Sequence, residues 1–251
     1  MNIFIHRRDL RHEDNTTLLK MNEKFKNITP IFIFNPNQIF PEKNKYFSNN
    51  LVQFLVESLK ELHASYKKKN INMHFFEGNI IEILENINEN RKINSIGFNS
   101  DYSPFSKKRD SSIIKWCKKH KIELFNEEDM LLSPLISSKS LNPNTALPYV
   151  VYTPFYKNLS KHQVEPLNKS KIKFNSDNIF NIYLLNLKEL SKYYKVNYDI
   201  HVKSGRKNGI LILKNISKFN SYDNNRSYLS YSTTNLSAYI NMGVISIREV
   251  Y

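Results

Sequence analysis

Five short apolar runs alternate with longer segments of helical period in the first half of the chain. The runs are rich in Ile and Phe and have the length of buried strands; they are Ile3–Ile5, Ile31–Phe34, Ile71–Phe76, Ile93–Phe98 and Ile122–Phe125. Strands that are apolar on both faces require helices on both sides, and each crossover returns with right-handed chirality. The pattern therefore predicts an α/β fold with a five-stranded, parallel, doubly wound sheet over residues 1–130.

The pattern changes after residue 130. Residues 131–186 are rich in Ser, Asn, Lys and Pro, including Pro134, and predict a long interdomain linker. One helix is predicted within it, with Thr153 as its N-cap and Pro154 as its first residue. Helical period returns over residues 187–251, where we expect the first helices of an incomplete all-α domain, because an amphipathic helix must bury its face against another element.

Basic residues exceed acidic ones throughout the sequence. Lys and Arg number 37 against 23 Asp and Glu, which gives a formal net charge of +14. This excess permits contact with nucleic-acid phosphates or another anionic surface, but runs such as Lys67-Lys68-Lys69 and Lys107-Lys108-Arg109 are also typical of solvated helix ends. The charge therefore leaves both interpretations open.

Several functional classes are disfavoured by missing signals. The five glycines form neither GxGxxG nor GxxxxGK[ST], which argues against an ordinary dinucleotide or P-loop site. Cys117 is the single cysteine, and no His/Cys group has metal-ligand spacing. No apolar stretch reaches about 18 residues, and no signal-peptide core follows Met1. We expect a soluble, intracellular protein without a disulfide or a metal site, and we assign no catalytic residue.

The segment after the first strand has an unusual order of charges. It reads His6-Arg7-Arg8-Asp9-Leu10-Arg11-His12-Glu13-Asp14-Asn15. From the residues alone it is a strand-to-helix loop in which Asp14 or Asn15 caps the helix and the arginines pair with the acids of the loop. The order resembles the RRDLRxxDN segment that opens DNA photolyases and cryptochromes. Further segments resemble that family in the same order: Pro30–Pro36, Phe54–Leu62, Asn99–Pro104 with Arg109-Asp110, and Tyr152–Tyr156.

A second group of motifs lies near residue 230. Taken alone, its Ser and Thr residues are typical either of a plain helix cap or of a neutral cradle for a pyrophosphate. The stretch resembles the family element YxxxRxxP…TSxLSPYLxxGxIS. That resemblance implies a DNA phosphate contact from Arg226 and FAD contacts from Tyr222, Thr233, Thr234, Leu236 and Ser237. The bland alternatives are a core aromatic at Tyr222 and a surface charge at Arg226.

The chain also departs from the family pattern. Asn235 stands where many members carry arginine, Ala238 where they carry proline, and His6 where an aromatic residue usually precedes the paired arginines. The acidic residue that folate-using members place near Phe105 and Ser106 is missing, which argues against a folate antenna. The antenna chromophore is therefore left open.

The resemblance implies a flavoprotein related to deoxyribodipyrimidine photo-lyase, which repairs UV-induced pyrimidine dimers in DNA by light-driven electron transfer from FAD. The family's flavin-ring helices have no counterpart in this sequence, and Trp116 is its single tryptophan. We therefore expect a truncated photolyase-like protein, inactive alone or completed by a separate carboxy-terminal chain, with UV-damaged DNA as a partner. The alternative is a cryptochrome-like light sensor or a nucleotide-binding interaction module without repair activity.

Overall fold

Five parallel strands form one sheet in the computed structural model, which describes residues 1–133, 140–179 and 182–251. The strands are hydrogen-bonded in the order β3-β2-β1-β4-β5. Their bounds are β1 Asn2–His6, β2 Thr29–Phe34, β3 His74–Glu77, β4 Ser95–Asn99 and β5 Glu123–Glu127. The predicted α/β class and parallel five-stranded sheet are confirmed. The strand order reverses between the central strand β1 and its neighbour β4.

Helices cover both faces of this sheet. The crossover helices are α1 Thr16–Lys24, α2 Pro36–Ile39, α3 Asn49–Lys67, α4 Ile80–Asn90 and α5 Pro104–His120. Apolar residues of α1 and α3 pack into one buried cluster, and those of α4 and α5 into a second. Because successive side chains of a strand point to opposite faces, Phe4 joins the first cluster while Ile3 and Ile5 join the second. The sheet is doubly wound, as predicted.

The start of α1 confirms the predicted cap. Asn15 has an extended backbone, and its side chain accepts a hydrogen bond from the Leu18 amide. This bond satisfies one of the amide groups that the first helical turn leaves without a partner. The loop after β1 therefore ends at a defined residue.

Residues 140–179 and 182–186 contribute to the core beside the sheet. Asn175 forms a parallel bridge with Asn27, and Leu185 forms an antiparallel bridge with Phe75. Ile172 and Phe174 are buried in the cluster that contains α1 and α3. Much of the segment predicted as a linker therefore packs against the α/β unit. The prediction at Pro134 lies outside the described residues.

The helix predicted near Thr153 is present, but its predicted start is wrong. Helix α6 spans Tyr152–Leu159 and follows Val151, and no side chain caps it. Thr153 therefore lies inside the helix, and Pro154 is its third residue. A proline is tolerated there because the first four amides of a helix have no intrahelical partner.

Short helices follow in the last part of the chain. They are two 3-10 helices, Glu189–Tyr193 and Ile216–Phe219, and α7 Arg206–Lys214, α8 Tyr222–Asn225, α9 Leu236–Asn241 and α10 Ile247–Val250. Leu236, Tyr239, Val244 and Ile245 join the buried cluster of α1 and α3. Residues 236–245 therefore pack directly on the α/β unit. None of the helices in the described ranges is long and apolar enough to span a bilayer.

Candidate functional site

The loops after β1 and β4 lie side by side at the carboxyl edge of the sheet. At a reversal of strand order the two loops diverge and leave a crevice, which is where open α/β sheets bind ligands. A cavity of about 340 Å³ lies here. Its lining combines apolar residues of α3, including Leu51, Val52 and Leu55, with the polar or charged residues His6, Arg7, Arg8, Asp101 and Arg109.

Asp9 holds the first loop in place. Its buried carboxylate accepts hydrogen bonds from the Arg7 amide at 2.7 Å and from Asn99 Nδ2 at 2.6 Å. Burial alone would raise the pKa of Asp9, but hydrogen bonds from His6, Arg7 and Asn99 lower it below its ordinary value. The loop after β1 is thus tied to the end of β4 by an ionised carboxylate.

His6 links this loop to α3. Its Nε2 atom lies 2.7 Å from the Tyr66 hydroxyl, and its Nδ1 atom lies 3.0 Å from the Asp9 carbonyl oxygen. Both side chains are buried, and burial raises the pKa of Tyr66 well above its ordinary value. The departure from the family's aromatic residue at position 6 therefore has a structural role, because the imidazole satisfies a phenol that would otherwise be buried without a partner.

Two arginines share one carboxylate beside the cavity. Arg7 donates to Asp110 and to the Asn99 carbonyl oxygen, and Arg109 Nε donates to the same Asp110 oxygen at 3.1 Å. Burial and the charge of Arg7 lower the pKa of Arg109 to about 10. Within the described residues, Arg109 Nη2 is buried and has no hydrogen-bond partner. This arrangement leaves a positive excess that suits an anionic group.

The predicted pairing of the arginines within their own loop is wrong. Arg8 lies 3.5 Å from Asp101, Arg7 pairs with Asp110, and Arg11 pairs with Asp129. The loop turns tightly, with the Arg11 amide bonded to the Asp9 carbonyl oxygen at 2.7 Å. The long side chains therefore extend away from the loop and reach acids on later elements.

A buried ion network joins this loop to the last helices. Arg248 Nε donates to Asp14 at 2.7 Å, and Arg248 Nη2 donates to Asp129 at 3.0 Å. Asp129 also accepts from Arg11, whose side chain is only 2% exposed, and Ser246 donates to Asp14. Because an unpaired buried charge is strongly unfavourable, this network fixes residues 246–248 against the loop after β1.

Gly243 allows the closest approach across this junction. Its φ is +61°, and an added Cβ would lie 2.6 Å from Asp9 Cα and would also overlap the Arg8 carbonyl oxygen. Only glycine fits both the left-handed backbone and the space. Two further hydrogen bonds lie beside it. Arg8 Nε donates to the Asn241 carbonyl oxygen at 3.0 Å, and the Leu10 amide donates to the Met242 carbonyl oxygen at 3.2 Å.

The residues predicted to contact FAD fall into two groups. Thr233 and Thr234 are half-buried and precede α9, whereas Leu236 is buried and Ser237 is exposed. Asn235 has a left-handed φ of 52°, and its amide group donates to the Thr233 carbonyl oxygen at 3.2 Å. The hydroxyl-bearing residues therefore lie together at an accessible turn, while the Leu236 side chain packs into the core.

Tyr222 is the first residue of α8, and Arg226 directly follows that helix. Within the described residues, no hydrogen bond, ion pair or ring contact joins either of them to residues 233–237; the Arg226 amide bonds instead to the Tyr222 carbonyl oxygen at 2.8 Å. Tyr222 is 46% exposed, so the alternative of a core aromatic is wrong. The Arg226 side chain is exposed to solvent.

The central β1, the arginine-rich loop after it and the cavity beside Asp101 define a photolyase- or cryptochrome-type α/β domain. The family model described as DNA photolyase matches residues 2–171, and the chain belongs to this family. The deoxyribodipyrimidine photo-lyase of Synechococcus sp. (strain ATCC 27144) is 24% identical over 99% of this chain and 52% of its own length. Cryptochrome-1 of Aedes aegypti is 28% identical over 47% of this chain and 22% of its own.

Solved structures agree with the fold over nearly the whole chain. The archaeal photolyase from Sulfolobus tokodaii, solved with two FAD molecules, has a TM-score of 0.85 and 32% identity and covers 100% of this chain and 54% of its own. The class III photolyase from Agrobacterium tumefaciens has a TM-score of 0.83 at 19% identity, covers 99% of this chain and 51% of its own, and supports the fold alone. The chain spans about half the length of the full-chain relatives that it matches.

Proposed function

We propose that this chain forms the antenna-type α/β domain and the first helices of the FAD-binding domain of a protein for light-driven repair of UV-induced pyrimidine dimers. The observation that carries the proposal is the similarity to the Sulfolobus tokodaii photolyase, which extends through residues 187–251 as well as the sheet. FAD, when bound, would supply the light-absorbing and electron-transferring chemistry. The chain itself would bind and orient that cofactor.

The turn before α9 supports a role in FAD binding. The hydroxyls of the half-buried Thr233 and Thr234 and of the exposed Ser237 are neutral donors that fit a pyrophosphate, and the half-exposed Tyr222 offers a ring and a hydroxyl. Leu236 would contribute through its backbone, because its side chain is only 7% exposed and belongs to the core. The exposed Arg226 remains our proposed contact to a DNA phosphate.

The cavity at the carboxyl edge supports a second chromophore. Its volume lies within the range of roughly 300–1,000 Å³ that is usual for ligand pockets. The apolar wall from α3 suits a planar ring system, and the buried, unpartnered Arg109 Nη2 suits an anionic group. The second FAD in the Sulfolobus tokodaii photolyase was interpreted as a light-harvesting cofactor. We therefore propose a flavin-type antenna molecule here.

A first experiment measures flavin in the purified chain by its visible spectrum before and after denaturation. Light-dependent repair is then assayed on an oligonucleotide with one thymine dimer. Both assays are repeated after coexpression with a candidate carboxy-terminal chain. Flavin with repair supports the proposal, and repair only after coexpression supports completion by a separate chain. Absence of flavin under all conditions contradicts it.

A cryptochrome-like sensor is the second candidate, because cryptochromes from insects and from Gallus gallus match between 47% and 63% of the chain. Flavin that is photoreduced without dimer repair would favour it.

Arg109→Gln tests the antenna site, with Lys108→Gln as the matched control, because Lys108 is its exposed neighbour on α5. We expect Arg109→Gln to weaken flavin mononucleotide binding about tenfold or more and Lys108→Gln to leave it unchanged. Equal affinities in the two variants would contradict the site.

A further inference from the structure

The crossover helices all end at the amino edge of the sheet, opposite the cavity. In a parallel sheet each crossover helix runs antiparallel to the strands, so its carboxyl end lies at the edge where the strands begin. Here α1, α3, α4 and α5 end in this way. Each of them carries basic residues in its last turn or directly after it: Lys24, Lys26, Lys67, Lys68, Lys69, Arg91, Lys92, Lys118, Lys119 and Lys121. We call these ten residues the amino-edge cations.

The amino-edge cations are exposed and mostly unpaired. Every one of them is exposed to solvent. Lys24 pairs with Glu123, and Arg91 pairs with Asp177. No ion pair is found for the other eight within the part of the chain that the structure describes. The acids beside them, Glu23, Glu89, Glu123 and Asp177, are too few to balance them. This edge therefore carries a large positive excess.

Favourable interaction with the helix dipoles does not account for this excess. A cation near a helix carboxyl end contributes about 0.3–1 kcal/mol, and the effect is confined to the last turn. One or two cations are enough to interact with the dipole of each helix, whereas α3 ends with three consecutive lysines, Lys67, Lys68 and Lys69. Because neighbouring like charges repel one another, such a cluster is better explained by an external polyanion.

We propose that the amino edge binds the phosphate backbone of nucleic acid, without regard to sequence or damage. Five strands about 4.8 Å apart give an edge roughly 20 Å wide. A duplex presents one negative charge per roughly 1.7 Å, so on the order of ten phosphate charges lie along this width. The surface is distinct from the proposed flavin and antenna sites, and it requires neither light nor cofactor.

The side chains of this edge favour nucleic acid over a membrane. Binding to an anionic bilayer needs apolar or aromatic side chains that enter the interface, in addition to positive charge. None of the exposed large apolar residues recorded for the described ranges falls within 24–27, 67–70, 91–92 or 118–121. The exposed side chains of the amino edge are thus mainly cationic, as expected for contact with a phosphate backbone.

The test uses fluorescence anisotropy with an undamaged 20-base-pair duplex, in the dark, over a series of salt concentrations. The amino-edge variant is K67Q/K68Q/K69Q/K118Q/K119Q. The control is K43Q/K45Q/K157Q/K161Q/K188Q, which removes the same charge from exposed lysines outside this edge. We expect the amino-edge variant to lose about 30-fold or more in affinity at 0.1 M salt and its log–log salt slope to fall by about 2 to 4. The control should lose less than about threefold.

Equal losses in the two variants would overturn the proposal, since they would show that only the total charge matters. Tighter binding to vesicles with 30% phosphatidylserine than to the duplex would overturn it in favour of a membrane. Thermal unfolding of both variants checks that the fold is retained. The measurement needs no flavin, so its failure leaves the proposed photolyase function untouched.

Discussion

The carboxyl edge of the sheet buries most of its arginines, whereas the amino edge exposes its lysines. At the carboxyl edge Arg7 and Arg11 are paired with carboxylates and with backbone carbonyl groups, and their side chains are almost completely buried. At the amino edge Lys67, Lys68 and Lys69 are exposed to solvent, and no ion pair is found for them among the described residues. Arginine offers a rigid fork of donors that fixes a geometry, whereas lysine is a mobile point charge. The carboxyl edge therefore has a fixed geometry of donors, whereas the amino edge has a diffuse positive charge.

The largest effect is expected from removal of a buried charge at the carboxyl edge. Arg11→Met leaves Asp129 without one of its two cationic partners, and it removes the donors to the Gly243 and Asp14 carbonyl groups. We expect the free energy of unfolding to fall by about 3 kcal/mol, measured by urea denaturation. The control is Arg8→Met at the same edge, because the Arg8 side chain is 36% exposed; its loss should be about 1 kcal/mol or less. Similar losses in both variants would refute the role of burial.

The next effect concerns the close approach at Gly243. Gly243→Ala adds a Cβ that overlaps the Arg8 carbonyl oxygen and places alanine at a φ of +61°. We expect a loss of about 2 kcal/mol or more in the free energy of unfolding, from steric overlap and backbone strain together. The control is Gly78→Ala. Gly78 also has a positive φ, but a Cβ added there would lie no closer than 3.5 Å to another atom, so this variant measures backbone strain without steric overlap. A smaller loss at Gly243 than at Gly78 would contradict the packing at this junction.

A pH dependence is expected from His12, at the same edge. Burial lowers its pKa to about 4, below the ordinary value of 6.5, and its Nε2 atom lies 2.8 Å from Ser65 Oγ. The unfolded chain therefore binds a proton that the folded chain does not bind, so stability is lost as the pH falls from about 6.5 towards 4. The slope from this group is at most about 1.4 kcal/mol per pH unit. His12→Gln should flatten the denaturation profile in this window, and an unchanged profile would argue against a neutral, buried imidazole.

The smallest effect is expected at the amino edge. Lys24 pairs with Glu123, but its side chain is 53% exposed. Lys24→Met should change the free energy of unfolding by less than about 0.5 kcal/mol, because exposed ion pairs contribute little. A loss above about 1 kcal/mol would show that this edge also relies on its charges for stability, and the contrast between the edges would fail.

Much of the fold could be predicted from hydrophobic pattern alone. The five apolar runs predict the five strands, and Asn15 was one of the two residues predicted to cap α1. The third run shows the limit of this reasoning. It begins at Ile71, but β3 begins at His74, because Ile71 and Met73 are buried in the core without pairing in the sheet. An apolar run reports burial, and burial does not require strand pairing.

The charged contacts could not be predicted from the sequence. Lys107, Lys108 and Arg109 read as a solvated run, yet Arg109 faces Asp110 and Arg7 while the two lysines are exposed. Neighbours in a helix point about 100° apart, so a run of like residues does not share a face. Likewise, the contact between Arg248 and Asp14 could not be predicted, because no local sequence pattern relates positions so far apart in the chain. The assignments of Tyr222, Arg226 and residues 233–237 stay predictions.

The bond between Ser246 and Asp14 spans 232 positions of sequence, which bears on the order in which the protein is built. During synthesis, Asp14 leaves the ribosome long before Ser246 and Arg248 exist. At usual elongation rates of 5–20 residues per second, the delay is on the order of ten seconds or more. Asn168 is made earlier, and its amide donates to the other Asp14 oxygen at 2.9 Å, so the contacts of Asp14 with Ser246 and Arg248 form last. A newly made sheet would thus pass through a stage in which the loop after β1 lacks its contacts with residues 246–248.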